Sequence, residues 1–116
     1  MAPAISTGVC DLGNVELHYL EAGVGHLVVC LHGFPDHAPG MVSVMGALAD
    51  AGFRAVAPFM RGIAPSTVRA ESYETAALAG DTLGIANALA AGEDFSLVGH
   101  DIGARVALHA AVLQSD

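Results

Sequence analysis

An aspartate lies between two glycines near the end of the chain, at the centre of residues 99–103, which read GHDIG. The run Phe95–Val98 before it has the pattern of a short buried strand, and residues 104–113 have that of a helix. The middle residue of such a sharp strand-to-helix turn projects its side chain away from the backbone and into a site. The flanking positions must then be small, as the two glycines are. A carboxylate there is ionised near pH 7, so it needs no base before it attacks carbon. The segment therefore predicts that Asp101 is a nucleophile, better suited to saturated carbon than to an acyl group.

Attack by Asp101 on an epoxide or a carbon–halogen bond would join the substrate to the protein as an ester. Water must then hydrolyse this ester through a tetrahedral intermediate, so the site needs an oxyanion hole. We expect the backbone N–H of Ile102 to be one donor, and the positive end of the helix to keep the carboxylate ionised. The alternative is that Asp101 only caps the helix, which is a common role of aspartate.

A second segment supplies the other donor that this chemistry needs. Residues 27–31 are continuously apolar, which is typical of a central parallel strand, and they lead into the sequence HGFP at 32–35. The glycine lets the backbone turn back over the sheet and directs the N–H of Phe34 toward the pocket above Asp101. We therefore predict Asp101, Phe34 and Ile102 as the catalytic residues.

These two motifs, in this order and about 70 residues apart, resemble the α/β-hydrolase superfamily. The aspartate at the turn resembles the epoxide hydrolase and haloacetate dehalogenase branch, and residues 56–66 are similar to the Arg-Gly loop of that group. The resemblance covers nearly the whole chain. It implies an α/β fold, namely the N-terminal half of an α/β-hydrolase fold, with a mostly parallel sheet and helices on both faces.

The resemblance also implies an activity, and it implies that some catalytic residues lie outside these 116 residues. An enzyme of this kind hydrolyses an epoxide or a small halogenated compound through an ester, here on Asp101. In the family, the water-activating histidine and its acidic partner lie far downstream of the nucleophile, beyond residue 116. The chain is thus expected to supply the nucleophile and the oxyanion hole but not the base, and to be inactive alone.

Departures from the family pattern bear on the substrate. Epoxide hydrolases and haloalkane dehalogenases commonly carry a tryptophan directly after the aspartate, where this chain has Ile102, which has no side-chain donor for a halide. Haloalkane chemistry is therefore disfavoured. Haloacetate dehalogenases have an arginine that matches Arg105, which is predicted either to bind a substrate carboxylate or to be a helix-surface or ion-paired arginine. His32, Pro35 and His37 are predicted to border the substrate pocket.

Composition limits the class of protein. The chain has 116 residues, of which 53% are hydrophobic and 14% charged, so one globular core is expected. The resemblance implies that residues 1–116 are a single α/β-hydrolase core portion, truncated after the last helix, without a cap domain. A net charge of −8 argues against nucleic acid and anionic membranes as partners. Neither a membrane-spanning run nor a signal peptide is predicted. Cys10 and Cys30 are expected to be reduced thiols, which indicates a cytoplasmic protein.

Six histidines raise the question of a metal, yet no pair has the i, i+4 helical spacing of a zinc site. The glycines at 23 and 25 precede a strand and lack the third glycine of a dinucleotide-binding loop. No metal and no cofactor are therefore predicted, and a small-molecule substrate is the expected ligand. His100 and His109 are interpreted as structural residues, with His100 packed in the core.

Periodicity predicts the elements that must position these motifs. A strand pair is expected at residues 5–9 and 15–21, and a further short strand at residues 54–57. Helices are expected at residues 41–50 and 73–91. The first helix is predicted to turn one apolar face to the sheet, formed by Met41, Val44, Met45 and Leu48.

The strand Phe95–Val98 would be an apolar sheet edge if nothing followed the last helix. We expect the missing C-terminal half, or another chain, to cover it. Two alternatives to the hydrolase interpretation stay open. One is a non-catalytic fragment or assembly module that docks on a complementary chain through this strand, with Asp101 as a helix cap. The other is an esterase-like hydrolase of unknown substrate, which the absence of serine at position 101 disfavours.

Overall fold

A computed structural model describes residues 4–33, 37–68 and 74–114, and the structural statements below concern these residues. They form six strands in one sheet, a short 3₁₀ helix and three α-helices. In chain order the elements are β1 (Ser6–Asp11), β2 (Val15–Ala22), β3 (His26–Leu31), the 3₁₀ helix (Ala38–Met41), α1 (Val42–Asp50), β4 (Phe53–Pro58), β5 (Thr67–Val68), α2 (Thr75–Ala90), β6 (Phe95–Gly99) and α3 (Ile102–Leu113).

The sheet has the strand order β1-β2-β4-β3-β6, with β5 paired to β2. Strands β4, β3 and β6 run parallel to one another, whereas β2 pairs antiparallel with β1, β4 and β5. The antiparallel part begins with the predicted hairpin, in which the carboxylate of Asp11 accepts a hydrogen bond of 2.8 Å from the N–H of Gly13. The sheet is therefore mixed. Its parallel strands β3 and β6 are the ones that lead into the two predicted motifs.

Helices cover both faces of the sheet, as the sequence predicts. Alternate residues of a strand point to opposite faces. Leu27, Val29 and Leu31 pack in the core that α2 and α3 cover, whereas Val28 and Cys30 pack in the core that α1 covers. Burial raises the pKa of the Cys30 thiol to about 11, so it stays protonated at neutral pH.

The predicted apolar face of α1 is wrong at one position. Met41 and Met45 are buried and Leu48 is half-buried, but Val44 is exposed. Met41 belongs to the 3₁₀ helix, and the α-helix begins only at Val42. Val44 lies one position before the fully buried Met45, which is about 100° around the helix, so it falls outside the buried stripe.

The sheet ends at β6, which has a neighbour on one side only among the described strands. Next to this edge, α3 exposes Leu108, Val112 and Leu113, and β6 itself exposes part of Val98. An apolar face next to an unpaired strand is a surface that proteins normally cover. None of the helices in the described ranges is long and apolar enough to cross a membrane.

Candidate active site

Asp101 lies at the sharp turn between β6 and α3, with backbone angles φ 58° and ψ −120°. A residue with a side chain rarely adopts a positive φ, and holding it there costs about 1–3 kcal/mol. Such strain persists where the surrounding structure imposes it, most often at functional sites. The predicted strand-to-helix turn is therefore present, with the carboxylate-bearing residue at its most strained position.

Asp101 holds the N-cap position of α3, but its side chain does not cap the helix. A capping aspartate has an extended backbone, and its side chain accepts a hydrogen bond from the first helical turn. Here φ is positive, and the side chain makes no such hydrogen bond. The alternative in which Asp101 is only a helix cap is thus contradicted, and the strained turn needs another explanation.

Three glycines allow the backbones around Asp101 to approach one another. A Cβ on Gly99 would lie 2.2 Å from the carbonyl oxygen of Gly103, and one on Gly103 would lie 2.3 Å from that of Leu31. A Cβ on Gly33 would lie 2.9 Å from the Cβ of Asp101. The predicted need for small residues at 99 and 103 is confirmed, and the end of β3 lies directly against the turn.

The first amide groups of α3 lie beside Asp101. The N–H of Gly103 donates to the carbonyl of His100 at 2.9 Å, and the N–H of Ala104 donates to that of Asp101 at 3.0 Å. Within the described chain, no backbone carbonyl accepts a hydrogen bond from the N–H of Ile102. Ile102, the first predicted oxyanion donor, is the first residue of α3. The second, Phe34, lies outside the described residues, as does Pro35.

His32 directly follows the carboxyl end of β3. Its side chain is buried, with 2% of the residue exposed. Its Nε2 accepts a hydrogen bond of 3.1 Å from the N–H of Met60, and its Nδ1 lies 3.0 Å from the carbonyl oxygen of Gly33. The ring therefore connects the backbone directly after β3 with the backbone directly after β4. His37 is exposed at the start of the 3₁₀ helix, with its ring edge-to-face to that of Phe59 at 6.1 Å.

Arg105 lies on the exposed side of α3, one turn after Asp101. Its side chain lines a shallow groove with Thr75, Leu108 and His109, and within the described chain it makes no ion pair. This is the placement of a helix-surface arginine. His100 is exposed and not packed in the core as predicted, because it follows the strand at the edge of the sheet.

Sequence reasoning gave no role to Arg61, although it lies in the Arg-Gly loop after β4. Arg61 and Asp81 of α2 are both buried, with 4% and 7% of each residue exposed. Two parallel hydrogen bonds of 2.7 Å join the guanidinium to the carboxylate. A bidentate pair of this kind fixes the loop after β4 to α2. The signal in the sequence is an aspartate on the apolar side of an alanine-rich helix.

The family model of the α/β hydrolase fold matches residues 26–116. The chain belongs to the α/β-hydrolase fold family. It is 40% identical over 105 residues to an epoxide hydrolase of Caballeronia sordidicola, covering 89% of this chain and 32% of that protein. It is 36% identical over 110 residues to epoxide hydrolase A of Mycobacterium tuberculosis, covering 91% of this chain and 34% of that protein.

A solved structure has the same fold as this chain of the α/β-hydrolase fold family. An epoxide hydrolase from an endophytic Streptomyces superposes with a TM-score of 0.89 at 33% identity, covering 97% of this chain and 34% of that one. The chain thus spans about a third of the length of the relatives it matches. The fold predicted from the sequence and its likeness to epoxide hydrolases are confirmed.

The hydrolase fold places Asp101 where open α/β sheets bind their ligands. The turn follows the carboxyl end of β6, and Gly33 follows the carboxyl end of the neighbouring parallel strand β3. Ligands of such sheets bind in the crevice outside the carboxyl ends of the strands. In the described ranges, no group of three or more His, Cys, Asp or Glu side chains is arranged to hold a metal ion.

The buried pair of Arg61 and Asp81 leads to a prediction about stability. Asp81→Asn is expected to lower the free energy of unfolding by about 3 kcal/mol, because the buried guanidinium loses its counter-charge. Glu21→Gln is the matched control, since the pair of Glu21 with Arg54 is partly exposed and is expected to contribute at most about 1 kcal/mol. Urea unfolding measures both variants, and equal losses would contradict the role of the buried pair.

Proposed function

We propose that the protein hydrolyses an epoxide through an ester on Asp101. The observation that carries this proposal is a carboxylate, in place of a hydroxyl, on the strained turn between β6 and α3. A carboxylate is a competent nucleophile toward saturated carbon without prior loss of a proton. The relatives named above as epoxide hydrolases support the same substrate class.

The proposed reaction has two steps, and its net result is epoxide plus water giving a vicinal diol. In the first, an oxygen of Asp101 attacks a ring carbon, the carbon–oxygen bond of the ring breaks, and the freed oxygen takes up a proton. In the second, water adds to the ester carbonyl, and the tetrahedral intermediate collapses to release the diol, the carboxylate and one proton, which balances the proton taken up in the first step. The negative charge of that intermediate is stabilised by the N–H groups of Ile102 and Phe34.

The substrate contacts are part of the same proposal. Ile102 has no side-chain donor for a departing halide, which favours an epoxide over a haloalkane. Pro35 and His37 are proposed to border the substrate, and Arg105 to receive a carboxylate if the substrate carries one. A small halogenated acid is therefore the substrate against which the rate on an epoxide is compared. The free thiols of Cys10 and Cys30 support a cytoplasmic location for this enzyme.

The base that activates water is proposed to come from another part of the assembled protein. The chain spans about a third of the matched epoxide hydrolases, and we propose that the remaining two-thirds, or another chain, pack on β6 and on the exposed side of α3. The unpaired edge of β6 and the apolar residues beside it support this. Such a partner would add a parallel strand and bring the histidine and acid to Asp101.

A substitution on the exposed side of α3 tests whether a partner covers this surface or whether it is an ordinary solvent-exposed helix face. Leu108 is 71% exposed, so Leu108→Glu on a solvated helix is expected to change stability by at most about 0.5 kcal/mol. If a partner covers the residue in the active protein, the charge is instead buried, and we expect loss of the assembly on size-exclusion chromatography together with loss of activity. Val24→Glu is the control, because Val24 is 87% exposed in the turn between β2 and β3. Identical behaviour of the two variants would contradict the proposal.

The proposed function itself is tested by trapping the ester. The assembled protein is mixed with excess styrene oxide, quenched with acid within one turnover and digested with protease. Mass spectrometry is expected to find the mass of the epoxide added to the peptide that contains Asp101, and on no other carboxylate. Turnover of the epoxide without any adduct at Asp101, at every quench time, would contradict the mechanism.

A further inference from the structure

His32 is a buried titratable residue that the proposed reaction does not use. Its two ring nitrogens face two different backbone groups, the N–H of Met60 and the carbonyl of Gly33. An N–H can only donate and a carbonyl can only accept, so Nε2 must be the acceptor and Nδ1 must carry the proton. The ring is therefore a neutral imidazole in one defined tautomer.

The two backbone groups belong to loops that lie far apart in the sequence. Gly33 follows β3 and lies against Asp101, where a Cβ would come within 2.9 Å of the aspartate Cβ. Met60 follows β4 and precedes Arg61, whose buried ion pair with α2 holds that loop in place. The imidazole thus connects the backbone next to Asp101 with a loop that is itself fixed to the core.

We propose that His32 is a positioning residue for the reaction at Asp101. The inference rests on the proposed function, because it assigns His32 a role in that reaction without contact with the substrate. The hydrogen bond from Nδ1 holds the carbonyl of Gly33, and the hydrogen bond at Nε2 anchors the ring to Met60. Without the ring, the backbone at Gly33 loses its support, and the space around the carboxylate changes.

Three variants separate the two hydrogen bonds of His32. His32→Phe keeps a ring and removes both of them. His32→Asn keeps a donor near the place of Nδ1, and His32→Gln keeps an acceptor near the place of Nε2. We expect kcat to fall about 100-fold in the phenylalanine variant and about 10-fold in each amide variant, since a displacement of about 1 Å at a reacting group costs about 10²-fold. KM is expected to stay within about threefold, because the substrate does not touch the imidazole.

The rate must be counted per functional site, since a purely structural role would also lower the amount of folded protein. The fraction of chains that form the Asp101 ester in a single turnover gives the number of functional sites. His26→Phe is the control, because His26 begins the same strand at its other end, where its ring contacts Ser96. That variant is expected to keep the rate per site of the unmodified protein.

Two outcomes would overturn the inference, and both differ from failure of the proposed function. One is a rate per site within twofold of the unmodified protein in all three variants. The other is nitrogen NMR of the unmodified protein that places the proton of His32 on Nε2 or on both nitrogens, a measurement that needs no substrate and no folded variant. Absence of any ester at Asp101 in the unmodified protein would instead overturn the proposed function.

Discussion

Asp101→Asn is expected to lower kcat for an epoxide by about 10⁴-fold or more, because a neutral amide replaces the attacking carboxylate. The variant has almost the same shape, so the strained turn and its contacts with Gly33 are expected to persist. Steady-state turnover of styrene oxide by the assembled protein measures the loss. Thermal unfolding is expected to show a melting temperature close to that of the unmodified protein.

Asp94→Asn is the matched control for this experiment. Asp94 is an exposed carboxylate just before β6, so the same chemical change lies seven positions away on the same segment. Its kcat is expected to be unchanged. Slow deamidation converts asparagine back to aspartate, so the mass of residue 101 is followed during the assay. An Asp101→Asn protein that keeps its amide and more than a tenth of the activity would contradict the role of the carboxylate.

Gly103→Ala is expected to destabilise the fold by about 3 kcal/mol or more, the upper part of the range for an added methyl group in a packed site. The new Cβ would lie 2.3 Å from the carbonyl oxygen of Leu31 and 2.7 Å from that of His32. Both atoms belong to the backbone at the end of β3, so neither can rotate away as a side chain would. Relief requires that α3 move away from the sheet, which also displaces Asp101.

Gly80→Ala makes the same substitution in a helix where there is room. Gly80 lies inside α2, and a Cβ on it would have no neighbouring atom within 4 Å. Alanine is the better helix former, so the variant is expected to gain about 0.5–1 kcal/mol. Urea unfolding of both variants tests the difference. Similar changes in stability for Gly80→Ala and Gly103→Ala would show that the close contact between α3 and β3 is absent.

Local patterns predicted the elements and the turn at Asp101, because short apolar strands, small residues and helical spacing all act over a few positions. The predictions of burial failed where the packing of whole elements decides whether a side chain is buried. Val44 is exposed because it lies about 100° around the helix from the buried Met45, at the border of the apolar stripe that meets the sheet. His100 is exposed because β6 lies at the edge of the sheet, which depends on strand order and not on the sequence around residue 100.

The support beneath the site depends on contacts that no local pattern contains. Met60 reaches His32 because β4 pairs with β3, and Asp81 reaches Arg61 because α2 packs over the loop that follows β4. In the sequence, His32, Arg61 and Asp81 are polar residues in apolar surroundings, with no local sign of their partners. Only the fold shows that a buried histidine holds backbone groups and that a buried arginine has a partner.

Hydrolysis of the epoxide in water enriched in ¹⁸O tests the central claim most directly. If the diol is released by attack of water on the carbonyl of an Asp101 ester, repeated turnover must place ¹⁸O in the carboxylate of Asp101, and the first turnover must yield diol with unlabelled oxygen. Mass spectrometry of the peptide and of the product measures both. Labelled diol from the first turnover, with no label in Asp101, would mean that water attacks the epoxide directly and would contradict the account.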